Sequence, residues 1–209
     1  MAWDEALLEA SASVGHPILR VYGWSEPAAT FGYFQKFKDV SLLTSLRPLI
    51  RRPTGGGLVP HDADWTYSLI IPPNDPWYEL KAVESYQRMH EWMRAAFARI
   101  GTGAELAPVR RKEAEGQCFA GAEQFDLVRE GRKIAGAAQR RTRHGLLIQG
   151  SVQPPAGLVR ADYEQALAME ARGRWAVEWI PFQPDESVSK RVEALRTQKY
   201  SHPGYNQQR

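Results

Sequence analysis

Hydrophobic residues in the middle of the chain recur at steps of three and four positions, with charged residues between them. This period is typical of an amphipathic helix and predicts one over residues 79–100. Gly101 follows at the place where a glycine often ends a helix. The positions expected to face inward are Val83, Tyr86, His90, Met93, Phe97 and Ile100.

Alternation of apolar and polar positions predicts a strand over residues 65–71, with Trp65, Tyr67, Leu69 and Ile71 on one face. The segment FDLVREGRKIAGAAQ predicts a hairpin with its turn at Glu130-Gly131. Further strands are expected over residues 18–24, 30–34, 49–52 and 145–152. Further helices are expected over residues 4–13, 39–46 (begun by Asp39 and ended by Pro48), 162–172 and 185–196.

Strands in the first two thirds of the chain are interspersed with helices, which favours an α+β fold. We expect a mixed β-sheet covered on one face by helices. No linker rich in proline, glycine or serine divides the chain. The sequence therefore predicts a single domain over residues 1–209, without a separate accessory domain.

Composition narrows the classes of function. With 43% hydrophobic and 24% charged residues, the chain is expected to be folded and soluble. No apolar run approaches the roughly 20 residues of a membrane span, and the first residues lack the order of a signal peptide. A net charge of +3 is too mild to predict nucleic-acid binding. The single cysteine forms no internal disulfide, so a cytoplasmic location is expected.

The segment RRPTGGGLVPHD places Arg51 and Arg52 beside the three glycines 55–57. Three glycines cost folding entropy, so something is expected to approach their backbone closely. Their N–H groups can form a nest for an anion, with the arginines adding charge. A tight hairpin turn with solvated arginines is the equally weighted alternative. His61 is more often a structural hydrogen-bonding residue than a catalytic one.

Lys133 lies on a predicted strand whose next residues are small, from Ala135 to Ala138. Small side chains leave a groove for an extended ligand, and a lysine at its mouth can hold a carbonyl or phosphate oxygen. The alternative is an exposed lysine on an edge strand. The nearby residues 140–144, rich in arginine, predict either a solvated basic turn or a docking patch for an acidic partner.

Cys118 is either a small buried hydrophobic residue or a nucleophile. The basic residues 110–112 precede it in the chain, and positive charge lowers the pKa of a thiol.

Several of these segments together resemble the lipoate–protein ligase A and octanoyltransferase family, whose catalytic domain is similar to that of biotin protein ligases. WSEPAATFGYFQ resembles its W-x-x-P-x-x-x-x-G-x-x-Q pattern. RRPTGGGLVPHDADWTYS resembles RRxTGGGxVxHD…TYS, and GRKIAGAAQRR resembles GrKIxGxAQ. The resemblance extends almost from end to end of the chain.

The resemblance implies a lipoate ligase-like mixed sheet flanked by helices, here apparently without the family's first strand. It implies that Lys133 is catalytic and contacts the activated acyl carbonyl. It also implies that the substrate-binding residues are Arg51, Arg52, Thr54, Gly55, Gly56, Gly57, His61, Tyr67, Gly136 and Ala137. No metal-binding residue is predicted.

The implied reaction attaches an octanoyl or lipoyl group to a lysine of a lipoyl domain, in 2-oxoacid dehydrogenase or glycine cleavage proteins. One branch of the family carries the octanoyl group from acyl carrier protein as a thioester on a cysteine. In CFAGAEQFDLVREGRK the cysteine and the lysine follow each other in that branch's order and spacing, which slightly favours Cys118 as a catalytic nucleophile. A transferase of this kind needs no cofactor. The other branch activates free lipoate with ATP and Mg²⁺. The glycine at position 57 resembles that branch more than the cysteine-dependent one.

Three departures from the family pattern leave a further alternative, a noncatalytic acyl-binding relative. The given sequence begins at the opening helix, so the strand that usually precedes it is either trimmed from the sequence or missing from the sheet. Ile148 stands where the family often has histidine or glutamine, and Pro60 is expected to interrupt the strand after the glycines.

Overall fold

The computed structural model describes residues 1–109, the backbone of residues 111–112, and residues 121–208. Cys118 therefore lies outside the described residues. The strands are β1 Ile18–Tyr22, β2 Ala28–Phe31, β3 Leu49–Arg51, β4 Val59–His61, β5 Trp65–Ile71, β6 Glu105–Leu106, β7 Arg111–Lys112, β8 Gly121–Ala122, β9 Leu127–Arg129, β10 Arg132–Thr142 and β11 Gly145–Val152. The helices are α1 Ala2–Val14, α2 Phe37–Val40, α3 Ala82–Arg99, α4 Arg160–Trp175, α5 Glu186–Leu195 and α6 Pro203–Asn206, with a 3₁₀ turn at Pro76–Glu79 and a π turn at Arg196–Tyr200.

A six-stranded sheet in the order β1-β5-β11-β10-β9-β6 forms the centre of the fold. Its neighbouring strands are antiparallel. A smaller three-stranded sheet, in the order β3-β2-β4, contains a parallel pair, β2 with β3. The α+β class is thus confirmed, with the mixed pairing confined to the smaller sheet.

Helices cover both faces of the large sheet, so the expectation of a single covered face was wrong. Tyr67, Leu69 and Ile71 of β5 pack with α3 and α4, while Ile70 between them packs with α1 and α5. Because side chains alternate along a strand, a central strand between two helical layers is apolar on both faces. The alternating pattern of β5 indicates only one of these faces.

The predicted hairpin is confirmed. Glu130 and Gly131 join β9 to β10 with φ angles of 52° and 75°, the left-handed conformation that a two-residue hairpin turn requires. The next turn, at Arg143 and His144, joins β10 to β11, which pairs with β5 on its other side. The strand that carries Lys133 is therefore an internal strand, and the edge-strand interpretation was wrong.

Two details of the predicted helices differ from the structure. The helix expected from Asp39 to Leu46 is a four-residue helix, α2, whose N-cap is Lys36. Val83 lies near the start of α3 with 58% of its surface exposed, whereas Met89, Trp92, Met93 and Phe97 further along the helix face the core. The first turn of a helix can extend beyond the sheet that it covers, so hydrophobic periodicity alone does not locate its buried part.

Pro60 does not disrupt its strand. It lies in β4, an edge strand of the small sheet that pairs only with β2 among the described residues. An edge strand tolerates proline because the missing N–H can face away from the neighbouring strand. Ile148 is fully buried in the core between the large sheet and α3. Strand β1 forms one edge of the large sheet.

None of the helices in the described part of the chain combines the length and apolar character needed to cross a bilayer.

Candidate active site

A cleft lies between the large sheet and the small sheet. It contains about 460 Å³ of empty space when space open to solvent is included, of which about 40 Å³ is accessible to the centre of a water molecule. A chain of several carbons therefore requires the cleft to widen. The predicted site residues that line it are Arg52, His61, Lys133, Gly136 and Ala137.

Lys133 is held on the wall of this cleft by Asp126. The two side chains form an ion pair of 2.7 Å, with exposures of only 6% and 0%. Asp126 also accepts hydrogen bonds from the hydroxyl of Tyr86 and, at 2.6 Å, from the backbone N–H of Glu123. Asp126 was not predicted as a site residue, and Tyr86 was assigned to the core. The available signals were the position of Asp126 directly before β9 and its place in the segment CFAGAEQFDLVREGRK.

Gly136 makes room for this ion pair. A Cβ atom placed there would lie 2.5 Å from Cε and 2.7 Å from Nζ of Lys133, and 2.7 Å from Oδ1 of Asp126. These distances are shorter than van der Waals contact. The space beside Gly136 is thus occupied by the side chain of Lys133, and the groove for an extended ligand stays a prediction.

The glycine loop, residues 55–57, is not a hairpin turn. Strands β3 and β4 pair with opposite sides of β2, so the segment between them crosses from one side to the other. Gly56 has a φ of 87°, and its carbonyl packs so closely on Gly32 that a side chain at Gly32 would overlap it. The close approach expected for this backbone is therefore made by another part of the same chain.

Arg52 connects the glycine loop to the cleft. Its Nη2 donates to the carbonyls of Gly55 and Gly57 at 3.0 and 2.7 Å, and its Nη1 donates to the hydroxyl of Thr30 at 2.8 Å. Arg52 as a whole is 6% exposed, and it lines the cleft on the side opposite β10. The cleft is therefore bordered by two cations, Arg52 and Lys133.

His61 is the centre of a buried network. Its Nδ1 lies 2.9 Å from Asp64, and its Nε2 lies 2.7 Å from the hydroxyl of Thr30. Because Thr30 accepts from Arg52, its own hydrogen can go to Nε2, which leaves Nδ1–H to donate to Asp64. The ring of Trp24 stacks on the imidazole at 4.3 Å. Asp64 and Trp24 orient His61, and the sequence analysis gave neither residue a role in the site.

Arg51 does not line the cleft as described. Its fully buried guanidinium donates to four backbone carbonyls, those of Tyr33, Gln35, Tyr205 and Asn206, at 2.7, 2.7, 3.2 and 3.1 Å. These bonds join the C-terminal helix α6 to the segment that follows β2. The substrate contact implied for Arg51 stays a prediction, and its observed contacts are structural.

Thr54 is also behind the wall of the cleft. Its hydroxyl donates to Gln149 at 2.8 Å, and Gln149 donates to the buried carboxylate of Asp4 at 2.7 Å. Burial raises the pKa of Asp4, but the nearby N-terminal ammonium, Arg20 and its hydrogen bonds outweigh this and leave the pKa lowered. These hydrogen bonds connect the segment before the glycine loop to β11 and α1.

The predicted basic turn is residues 140–144, which end with His144. Arg140 donates to the carbonyl of Pro53 at 3.2 Å, and Arg141 donates to that of Leu80 at 2.7 Å. Arg143 contacts the neighbouring His144 at 3.3 Å. All three arginines thus contact other residues of the protein itself, and a docking role stays a prediction.

Tyr67 lies behind Gly150, a residue that lines the cleft. A side chain at Gly150 would overlap the ring of Tyr67, so the glycine lets this ring lie flat on β11. Burial, with a smaller contribution from Asp126, raises the pKa of Tyr67. Tyr67 therefore stays neutral and shapes the sheet at the cleft.

Replacing Gly150 by alanine is expected to lower the free energy of unfolding by about 1–3 kcal/mol, because the buried ring of Tyr67 has to move. Urea denaturation measures this change. Gly173→Ala is the control, since that helical position has no atom within 4 Å of an added Cβ. There we expect a gain of up to about 1 kcal/mol. Equal stability of the two variants would contradict the packing described.

His90 is a buried residue of α3 that contacts Tyr86 on the same helix. Its Nδ1 donates to the carbonyl of Tyr86 at 2.9 Å, and its Nε2 has no partner among the described residues. Burial lowers its pKa from 6.5 to about 4; Asp126 and the Tyr86 carbonyl act in the opposite direction, while Lys133 lowers it slightly. His90 is therefore neutral in the folded protein at pH 6, while the unfolded chain partly protonates it.

The stability of the protein is expected to fall by about 3 kcal/mol as the pH decreases from above 6.5 to about 4, through His90 alone. The unfolded state binds more protons in this window, so the free energy of unfolding rises with pH there and is flat above it. Urea titrations at several pH values measure this slope. His90→Gln should flatten it, and an unchanged slope in that variant would contradict the assignment.

The model of the family described as lipoyl protein ligase A/B catalytic domain matches residues 1–167. An octanoyltransferase LipM from Macrococcus caseolyticus is 35% identical over 165 residues, which cover 73% of this chain and 60% of that protein. The chain thus spans about 60% of the length of the curated relatives that it matches.

Two solved structures share the fold. A lipoate-protein ligase A bound with ATP has a TM-score of 0.81 at 20% identity, covering 99% of this chain and 92% of that one. A bi-partite lipoate protein ligase from Thermoplasma acidophilum, studied with its E2 lipoyl domain, has a TM-score of 0.72 at 19% identity, covering 99% and 89%. Together with the family match over residues 1–167, this establishes that the chain belongs to the lipoyl protein ligase A/B catalytic-domain family.

Proposed function

We propose that the protein is an octanoyltransferase, which moves an octanoyl group from octanoyl-acyl carrier protein to a lysine of a lipoyl domain. The observation that carries this proposal is the cleft, where the ammonium of Lys133 is fixed beside the small residues of β10. Membership of the family and the names of the curated relatives support it.

In this proposal Cys118 carries the acyl group. Its thiolate attacks the thioester carbonyl of the donor, and the carrier's thiolate leaves. The neutral ε-amine of the acceptor lysine then attacks the new thioester, loses a proton, and expels the thiolate of Cys118. Both steps develop negative charge on the carbonyl oxygen, and the ammonium of Lys133 stabilises it.

The acyl chain is proposed to lie along Gly136 and Ala137, with Arg52 and His61 on the opposite side of the cleft. The glycine loop holds Arg52 in place, through the carbonyls of Gly55 and Gly57. Thr54 and Tyr67 support the walls from behind, as their contacts with Gln149 and Gly150 indicate.

The acceptor is proposed to be the lipoyl domain of 2-oxoacid dehydrogenase or glycine cleavage proteins. The similar archaeal ligase was studied with an E2 lipoyl domain, which supports this choice of acceptor. The transferase reaction requires no cofactor, because the donor thioester is already activated. A single cysteine without a disulfide partner suits a reducing cytoplasm, the proposed location.

ATP-dependent ligation of lipoate is the second candidate, since the fold is shared with a ligase that was crystallised with ATP. In that reaction the carboxylate of lipoate would attack the α-phosphate of ATP, in the presence of Mg²⁺, to give lipoyl-adenylate and pyrophosphate. Arg52 with the glycine loop would face the phosphate of this acyl-adenylate. Lys133 would again contact the carbonyl oxygen.

Intact mass spectrometry distinguishes the two reactions. Incubation with octanoyl-acyl carrier protein is expected to add one octanoyl group that hydroxylamine removes, and Cys118→Ser should abolish the adduct. If no adduct forms but ATP and lipoate modify a lipoyl domain, the ligase is the correct assignment. Acyl binding without any transfer would mark a noncatalytic relative.

A further inference from the structure

Asp126 is a fully buried carboxylate close to the cleft, and no motif used above assigned it a role. A buried charge is unfavourable unless it is paired and hydrogen-bonded. Asp126 meets this condition with a cation and two donors, namely the ammonium of Lys133, the hydroxyl of Tyr86 and the backbone N–H of Glu123. The carboxylate is therefore rigid, and it holds the lysine rather than being held by it.

Tyr86 connects this carboxylate to the rest of the fold. It projects from α3, and its hydroxyl accepts a hydrogen bond of 3.0 Å from the backbone N–H of Ala137, next to Gly136 on β10. The described pairing of β10 with β9 ends at Ala135 and Leu127, so this N–H has no strand partner on that side. Tyr86 takes the place of the missing strand at this point.

The contacts thus run from one face of the large sheet to the other. Lys133 lines the cleft, Asp126 lies where strand pairing ends, and Tyr86 belongs to the helix on the opposite face. A lysine side chain is flexible and loses rotamer freedom when it must hold one position. Two rigid anchors remove that freedom before any substrate binds.

We propose that Asp126 is the positioning residue of Lys133, and that Tyr86 fixes Asp126 in turn. This inference rests on the proposed octanoyl transfer and adds the group that orients its catalytic cation. Asp126 itself does not touch the substrate. It directs the ammonium towards the carbonyl oxygen, where a displacement of about 1 Å reduces the rate by about a hundredfold.

The first test is Asp126→Asn, which keeps the shape of the side chain but removes its charge. We expect kcat for octanoyl transfer to fall about 10- to 100-fold. The KM for octanoyl-acyl carrier protein should change by less than about threefold, because binding of the chain does not use this contact. Tyr86→Phe should lower kcat by about 3- to 10-fold, since Asp126 keeps two of its three partners.

The matched control for Tyr86→Phe is Tyr163→Phe, which removes a buried tyrosine hydroxyl from the core beneath α3 and α4, away from the cleft. The hydroxyl of Tyr163 has no partner among the described residues. Its removal should leave kcat unchanged. A similar loss of kcat in both variants would mean that Tyr86 acts only through packing.

The decisive comparison places Asp126→Asn in a Lys133→Met background. If Asp126 acts through the lysine, the double variant should retain the residual activity of Lys133→Met within about twofold. It should also be more stable than Lys133→Met, because it no longer contains an unpaired buried carboxylate. A purely structural residue would lower the activity by the same factor in both backgrounds.

The outcomes separate this inference from the proposed function. Full kcat in Asp126→Asn, in an otherwise active protein, would overturn the positioning role and leave the transferase intact. A wild-type protein that transfers no octanoyl group would overturn the proposed function and this inference with it.

Discussion

Replacement of Lys133 by alanine is expected to lower octanoyl transfer by about a hundred- to a thousandfold. The ammonium is a charged donor in a partly desolvated cleft, at 6% exposure, so its interaction with a developing oxyanion is weakly screened by water. The loss should appear in kcat, because the charge on the carbonyl oxygen develops in the transition state rather than on binding.

Lys133→Ala should also lower the free energy of unfolding by about 3–5 kcal/mol, since it leaves Asp126 buried without a counter-charge. Activity is therefore measured under conditions where circular dichroism shows the variant to be folded. Lys190→Ala, at an exposed lysine on α5, is the control and should retain full activity. Full turnover in a folded Lys133→Ala protein would remove the lysine from the mechanism.

Replacement of Arg51 by alanine is expected to lower the free energy of unfolding by about 3–5 kcal/mol. The side chain is fully buried and donates to four backbone carbonyls, two after β2 and two in the last described turn of the chain. Without it these carbonyls lose their charged donor where water has little access. The contact between α6 and the small sheet should then open.

Urea denaturation measures the effect of Arg51→Ala, and a shift of the midpoint without a change of slope would show a loss of stability alone. Arg47→Ala is the matched control, because Arg47 also donates to backbone carbonyls, those of Thr44, Leu46 and Ser41, but at the surface. We expect less than about 1 kcal/mol there. Equal losses in the two variants would contradict the role of burial.

Local sequence signals predicted much of the fold, because they reflect interactions between residues close in the chain. Alternation located β5, and the Glu130-Gly131 pair located the hairpin that presents Lys133. The helical period located α3, although it misassigned Val83. In each case the pattern described the buried face of one element, which depends little on how other elements pack.

The remaining features depend on contacts between distant segments, which no local pattern contains. The adjacent arginines 51 and 52 look equivalent in the sequence, yet one holds α6 and the other faces the cleft. Both side chains are buried, and only the packing of the small sheet decides which of them faces the cleft. The Tyr86–Asp126 contact likewise joins residues 40 positions apart.

The same reasoning explains the glycine loop. Its composition indicated that something must approach its backbone, but not that Gly32 would do so. The pairing of β3 and β4 with opposite sides of β2 creates that contact and also fixes Arg52. Residues chosen by motif were therefore divided by the structure into those that face the cleft and those that support it.

A crystal structure of the protein carrying an octanoyl group tests the central proposal most directly. The prediction is that the carbonyl oxygen lies within about 3.2 Å of Nζ of Lys133, and that the chain extends past Gly136 into a cleft widened beyond the one described. An octanoyl chain bound elsewhere, with the lysine still distant from its carbonyl, would contradict it.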